Sequence, residues 1–256
     1  MNQTDFWNRY LEVYDVLNRH DAYVSYMDEI PRRLHITPGM KILDAGSGTG
    51  NLSIRMKAKG ADVVSLDFSP TALRIHRMKD PTAVQIEASL TDPLPLGNGS
   101  MDAVVCASVL FALPLQSTDT VLKEFARALK PGGQLVVTSS VKGLSRLKFA
   151  YEHLRDRFKK QPFFSFVRET LTSLWPMVQM LYYCLRIYGL RRQGAYRQFS
   201  KEELLETVER GGFVNLRYST TFMGRFHMVE ATTPVTCAEA KPSTVDAGLS
   251  KVSVGI

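Results

Sequence analysis

The stretch "DAGSGTG", with Asp44 followed by Gly46, Gly48 and Gly50, and a second acid, Asp67, 17 positions after Gly50, carry the clearest chemistry in this chain. Glycines on alternate positions let the backbone take positive φ and approach a ligand closely. A dinucleotide needs G-x-G-x-x-G, whose third glycine lets the helix pack on the strand; counted from Gly46 that position is Asn51, and from Gly48 it is Ser53. A nucleoside triphosphate needs a lysine after the last glycine, and none stands there. What remains is an acid at the tip of each of two strands, with a glycine turn and a helix N-terminus whose amides suit a carboxylate. An acid at the second strand's tip is placed to accept two ribose hydroxyls. Carboxylate, ribose and adenine without phosphate describe S-adenosylmethionine.

Such residues need a scaffold that brings two strand tips together. From Met40 to Ser140 short β-rich runs alternate with helical ones: "KILDAG", "LSIRMKAKG", "DVVSLDFS", then "PTALRIHRMKD" capped by Ser69 with Pro70 first in the helix. "AVQIEAS" and "DAVVCAS" follow, then "TDTVLKEFARAL" with Leu122, Phe125, Ala126 and Leu129 on one face, and a "KPGG" turn into "QLVVTSS". Regular βα alternation with short connections predicts a doubly wound α/β fold with a mainly parallel sheet. About sixty residues of helical periodicity come next. "SKEELLETVERGGF" then resumes as a helix with a Ser200/Glu203 capping box, ended by Gly211-Gly212, and two strands joined by a turn near Gly224 complete the sheet. The expected organisation is an N-terminal helical cap over 1–37, an α/β core over 38–140, a helical insertion over 141–198, the end of the core over 199–233, and a disordered tail over 234–256.

Ile42 to Ser140 resembles the core of the class I S-adenosylmethionine-dependent methyltransferases. The likeness rests on D-x-G-x-G-x-G, Asp67, "PLPLGNGSMD", "ALKPGGQLVV" and "FSKEELLETVERGGF" in that order. "VYDVLNR", Val13 to Arg19, is similar to the start of the ubiquinone/menaquinone C-methyltransferase branch. The resemblance implies a seven-stranded Rossmann-like sheet with the insertion as a lid between the fifth strand and the next helix. It also implies that Gly46, Ser47 and Gly48 face the methionine part, Asp44 the amino group, Asp67 the ribose and Phe68 the adenine, with Gly50 and Ala107 also at the cofactor. Where relatives carry an Asp on the adenine amino group, "EASLTD" offers Ser89 or Leu90. Where they carry "LHH" after the fourth strand, this chain has Leu110-Phe111-Ala112. Tyr10 and Tyr14, one helical turn apart, either close over the cofactor or form a packed aromatic face.

Methyl transfer from a sulfonium needs no metal and little more than an acceptor held in line, and the three separated cysteines have no metal-ligand spacing. Where the acceptor must lose a proton, His20 and His227 are the candidate bases. The 256 residues carry a net charge of +7, but Val141 to Ser200 alone holds 12 Lys/Arg against 3 Asp/Glu. In that segment Val167, Leu171, Leu174, Val178, Leu181, Leu185 and Tyr188 form one apolar stripe, widened by Trp175, Met177, Met180, Tyr182, Tyr183 and Ile187, with Pro176 placed to bend or divide the helix. Either this is a lid packed on the domain or on a second copy, as in a homodimer, or it lines a pocket for a lipophilic acceptor. In the second reading Lys159, Lys160, Arg191, Arg192 and Arg197 attract an anionic group or a membrane surface. The second reading is favoured: a small-molecule methyltransferase with an aromatic, quinol-like or prenylated acceptor. An RNA or protein methyltransferase is the alternative, disfavoured because apolar residues interrupt the basic ones; a non-catalytic cofactor-binding protein is the third. Without a secretory h-region, and with few cysteines, the chain is expected in the cytosol, with membrane association through the insertion.

Overall fold

The computed structural model describes residues 3–141, 163–192, 196 and 198–235. The tail beyond Val235 and the first part of the insertion, with Lys159 and Lys160, lie outside them, as does Arg197. The described elements run α1 (Gln3–Tyr14), a 3-10 turn (Asp15–Arg19), α2 (Asp21–Arg33), β1 (Lys41–Ala45), α3 (Asn51–Lys57), β2 (Asp62–Asp67), α4 (Pro70–Lys79), β3 (Val84–Glu87) and β4 (Met101–Ala107). After two more 3-10 turns come α5 (Thr118–Ala128), β5 (Leu129–Ser140), α6 (Phe163–Arg192), α7 (Lys201–Arg210), β6 (Val214–Thr221) and β7 (Phe226–Thr232).

Seven strands form one sheet in the order β3-β2-β1-β4-β5-β7-β6, parallel except for β7, which runs antiparallel to both neighbours. The central strands are apolar on both faces because both faces are covered, as parallel sheets require. Their period of two sorts the side chains. Leu43, Val104, Cys106, Leu135, Val137 and Val229 pack with Phe125 of α5 and Leu204 and Val208 of α7. The alternate residues Ile42, Ala103, Val105, Val136 and Met228 pack on the other face with Tyr26, Met27 and Ile30 of α2 and Met56 of α3. The helix starts follow from local chemistry. Ser69 Oγ accepts from Ala72 N at 3.1 Å ahead of Pro70, and Ser200 and Glu203 close a reciprocal capping box.

Three sequence expectations are corrected. "KPGG" is not a turn before β5 but a bulge within it: the register with β4 jumps from Met101↔Leu129 to Ala103↔Gln134, and Gly132 supplies the positive φ. Pro176 does not divide α6, which runs unbroken for 30 residues; one missing N–H leaves the rest of the backbone ladder in place. The predicted apolar stripe is not the docking face. Val178, Leu181, Leu185 and Tyr188 are about half exposed, whereas Met180, Tyr183 and Ile187 are buried against Phe6 and Trp7 of α1 and Phe111. α6 is apolar most of the way round, so its periodicity cannot identify the face; the aromatic rings that α1 presents decide it.

Candidate active site

The strand order reverses between β1 and β4, the place where a doubly wound sheet opens a crevice beyond its carboxyl ends. The glycine loop lies there and is held from inside. Gly46 N and Ser47 N both donate to Leu66 O (2.8 and 3.0 Å), and Gly50 N donates to Ser47 O at 3.0 Å. Gly46, at φ 77°, lies so close to Val109 that a Cβ would come within 2.4 Å of it. At Gly50, also φ 77°, a Cβ would meet the His76 ring at 2.1 Å. With those amides turned inward, the loop's remaining polar group is the Ser47 hydroxyl, buried and without a partner among the described residues; Ser47 itself is among the residues that line the cavity.

Asp67 is fixed by backbone. One carboxylate oxygen accepts from Gly48 N at 2.8 Å and the other from Ser69 N at 2.9 Å. A carboxylate has about four acceptor sites, so each oxygen keeps one for a ligand. Burial raises the Asp67 pKa, against these N–H donors. Asp44 accepts from Ser53 Oγ at 2.5 Å. Its carboxyl is pushed up to about 7, first by burial and also by the neighbouring Asp67, while Ser53 opposes the shift. Both carboxyls are thus buried and shifted upward, Asp44 the more clearly.

The N-terminal segment covers this end. A Cβ at Gly48 would stand 3.5 Å from Leu11 of α1, and Ser69 Oγ donates to Asn8 at 2.6 Å. Asp15 ties the cap to the loop: its Oδ1 accepts from Thr49 Oγ1 (2.6 Å) and Asn51 Nδ2 (3.0 Å), and its Oδ2 from Lys79 Nζ (2.9 Å). Rings of Tyr10, Tyr14, Tyr23, Tyr26 and Phe226 then follow one another at centroid spacings of 5.2 to 6.3 Å. Burial is the first cause of the raised pKa of Tyr14 and of Tyr26, the latter to about 12, so both stay phenols.

The glycine loop, the two acids and the row of rings border one cavity of about 1070 Å³. Of the sequence-predicted residues, Tyr14, Asp44, Gly46, Ser47, Gly48 and Asp67 line it. Phe68, Ser89, Leu90, Ala107 and His20 line it too. Gly50 supports the loop from behind. Ser89 Oγ pairs with Thr91 Oγ1 at 2.7 Å. His227 is removed from the candidate bases: it is not among the lining residues, and its Nδ1 shares a 2.9 Å hydrogen bond with Tyr218 Oη on the opposite face of the sheet. Sequence reasoning missed Asp15, Thr49, Asn51, Tyr26, Phe222 and Arg225. The partners of Asp15, Thr49, Asn51 and Tyr26 lie tens of residues away, and for Phe222 and Arg225 the one local signal was the turn read near Gly224.

Residues 43–137 match the family model described as a methyltransferase domain. Over 110 residues the chain is 36% identical to a demethylmenaquinone methyltransferase of Streptomyces avermitilis, a match covering 43% of this chain and 46% of that protein. Over 117 residues it is 32% identical to a ubiquinone biosynthesis O-methyltransferase of Xanthomonas oryzae pv. oryzae, covering 44% and 48%. The chain spans about half the length of the curated relatives it matches. Among solved structures, a methyltransferase of Thermotoga maritima described as a possible histamine N-methyltransferase shares the fold, with a TM-score of 0.59 over 90% of this chain and 99% of that one at 18% identity.

Proposed function

We propose that this chain, built around an S-adenosylmethionine-dependent methyltransferase domain, moves the methyl group to a lipophilic small molecule held in the same cavity as the cofactor. The observation that carries the reading is the cavity itself. Its glycine-loop end is polar, and the remainder is walled by Tyr26, Phe111, Met180, Leu181 and Phe222, among others. Its volume of about 1070 Å³ exceeds the roughly 300–1,000 Å³ typical of single-ligand pockets.

The residues fit the cofactor. Ser47 offers a hydroxyl for the methionine carboxylate, Asp44 a buried acid for the ammonium, and Asp67 two remaining acceptor sites for ribose hydroxyls. Phe68, 39% exposed, offers a ring face to the adenine beside Ser89 and Leu90. When bound, the cofactor supplies a methyl group already activated as a sulfonium. The protein's share is then to exclude water and hold the acceptor atom in line. His20, buried at the cavity wall, is the candidate to take a proton from an acceptor that must lose one.

No helix among the described residues is long and apolar enough to cross a membrane. α6 nonetheless turns Trp175, Val178, Tyr182 and Leu185 outward, and this face meets a membrane surface from which a lipophilic acceptor reaches the cavity that Val178 borders. Two measurements test the reading. Calorimetric titration of the full chain with S-adenosylhomocysteine, beside NADH, is expected to show binding of the former alone. Labelled methyl transfer to a panel of quinols and phenols is then expected; binding without transfer to any lipophilic acceptor would leave a cofactor-binding protein instead. Flotation with anionic vesicles tests the α6 face, and a dimer that stays out of the vesicle fraction would give that face to a second copy.

A further inference from the structure

The cavity wall changes character at the end of β4. Val109 packs on Gly46 of the cofactor loop, and Phe111 belongs to the aromatic cluster of α1 and α6, so the residues directly after β4 stand between the polar end and the apolar one. Ser108, the first of them, borders the cavity and takes a φ of 59°, uncommon for a residue with a side chain. One N–H shared between two acceptors on the neighbouring strand holds it there. Ser108 N donates to Thr138 O at 3.0 Å and to Thr138 Oγ1 at 3.1 Å.

A chain of three hydroxyls starts from the same threonine. Thr138 Oγ1 lies 2.6 Å from Tyr26 Oη, which lies 3.3 Å from Ser108 Oγ. Three O–H groups share these two contacts, so one proton is left over. Its place follows from burial. Thr138 is fully buried, and among the described residues its hydroxyl contacts are Ser108 N, itself a donor, and Tyr26 Oη. An unspent proton there would carry the penalty of a buried orphan, so Thr138 donates to Tyr26 and Tyr26 donates to Ser108. The remaining proton is that of Ser108, the half-buried end of the chain. Burial raises Tyr26 to about 12, so the chain stays neutral, and hydrogen bonds in series strengthen the last donor. The surroundings suit a ring: Tyr26 stacks on Phe226 at 5.2 Å and 24° and lies 5.6 Å from Phe222, and all three border the cavity.

We propose that the acceptor carries a carbonyl or phenol-type oxygen on a flat apolar framework, and that Ser108 Oγ donates a hydrogen bond to that oxygen while Thr138 and Tyr26 direct the proton. Ser108 touches the acceptor; Tyr26 and Thr138 are positioning residues that act through it. The 3.3 Å link between Tyr26 and Ser108 is the looser of the two, as such contacts are before a ligand tightens them. This rests on the methyltransferase reading above and names the residue that orients the acceptor at the junction of the two ends.

The test uses the full chain saturated with S-adenosylhomocysteine, with 2-acetylnaphthalene and 2-isopropenylnaphthalene as probes of equal shape, of which the ketone alone accepts a hydrogen bond. Ser108→Gly removes the hydroxyl and suits the positive φ. It is expected to weaken the ketone relative to the alkene by roughly 2- to 10-fold, the size of one neutral hydrogen bond, while S-adenosylhomocysteine affinity, the control for fold, stays the same. The C=O stretch of the bound ketone, read by infrared difference spectroscopy, is expected to lie lower in the unaltered chain than in Ser108→Gly, a shift that a purely structural role does not produce. Tyr26→Phe keeps the ring wall and is expected to retain part of both effects. A ketone-to-alkene ratio and a stretch that Ser108→Gly leaves unmoved would overturn the proposal, as would loss of both effects in Tyr26→Phe alone, which would make Tyr26 the donor. Binding of neither probe beside bound S-adenosylhomocysteine would overturn it together with the lipophilic acceptor. Failure of S-adenosylhomocysteine to bind the unaltered chain would instead sink the methyltransferase reading itself.

Discussion

The two ends of the cavity are made in different ways. At the glycine-loop end, Asp44 to Gly50 and Asp67 to Ser69 are two short stretches whose loop amides and Asp67 carboxylate are fixed by backbone, through Leu66 O, Gly48 N and Ser69 N. At the far end α1, α2, α6 and the β6–β7 turn all lend side chains, and most of the contact is ring against ring or against aliphatic groups. The first end is built to hold one ligand in one pose. The second is built from parts that can change independently, so acceptor choice can alter while cofactor binding stays. The predictions that follow probe that division, beginning with the largest effect.

Asp67→Ala removes two acceptor sites and the anchor of Gly48. Affinity for S-adenosylhomocysteine is expected to fall by roughly 10²- to 10⁴-fold, the loss of two hydrogen bonds to a charged group, while the circular dichroism spectrum is unchanged. Unaltered affinity with an intact spectrum would take Asp67 out of the site. Gly50→Ala should act on the scaffold. It places a Cβ at positive φ against His76, which should cost about 2 to 5 kcal/mol and lower Tm by roughly 5 to 15 °C. Adding His76→Ala should recover part of that loss in a double-mutant cycle, because the steric share is pairwise. Strictly additive losses would mean that φ alone accounts for the glycine.

The same division explains what was legible in the sequence. The alternation of strands and helices, the Ser69 and Ser200 caps and the D-x-G-x-G-x-G loop are local patterns, and the sheet order follows once parallel pairing is granted. Eleven of the thirteen predicted site residues border the cavity, because strand tips are placed by register. His227 failed since alternation along β7 sends it to the Tyr218 side, a choice fixed by pairing with β5 and invisible in "GRFHMVE". The docking face of α6, the bulge in "KPGG" and the Asp15 contacts are all settled by partners remote in the chain.

Protonation gives a smaller and reversible effect at the polar end. A raised pKa means that Asp44's contribution to stability is fully present below its unfolded value and lost as pH rises through about 7. A bound ammonium favours the ionised form and offsets that loss. The rise in Tm on adding saturating S-adenosylhomocysteine is therefore expected to be larger at pH 8 than at pH 5.5, with affinity improving by at most about tenfold per pH unit below 7. His76, whose pKa is lowered first by burial and then by Lys79, destabilises free and bound forms alike at low pH and cancels in the difference. A larger rise at pH 5.5 would place the ammonium away from Asp44.

The smallest effect belongs to the contact between the two ends. Asp15 lies on the 3-10 turn after α1, whose Trp7 also lines the acceptor side, yet it holds Thr49 and Asn51 of the cofactor loop. Its ion pair with Lys79 is about one-third exposed on each side and is worth no more than about 1 kcal/mol. The buried Thr49 hydroxyl matters more: Asp15→Ala takes away its acceptor, at about 1 to 3 kcal/mol. Part of that cost should appear as easier opening of the cap. Dissociation of S-adenosylhomocysteine, followed by stopped-flow displacement, is expected to quicken several-fold while the association rate changes less. Thr49→Val in the same background should add little, because the bond is already gone. If dissociation is unchanged in Asp15→Ala, the cap is held by its aromatic contacts with α6 alone, and the acceptor end rather than the loop controls entry to the site.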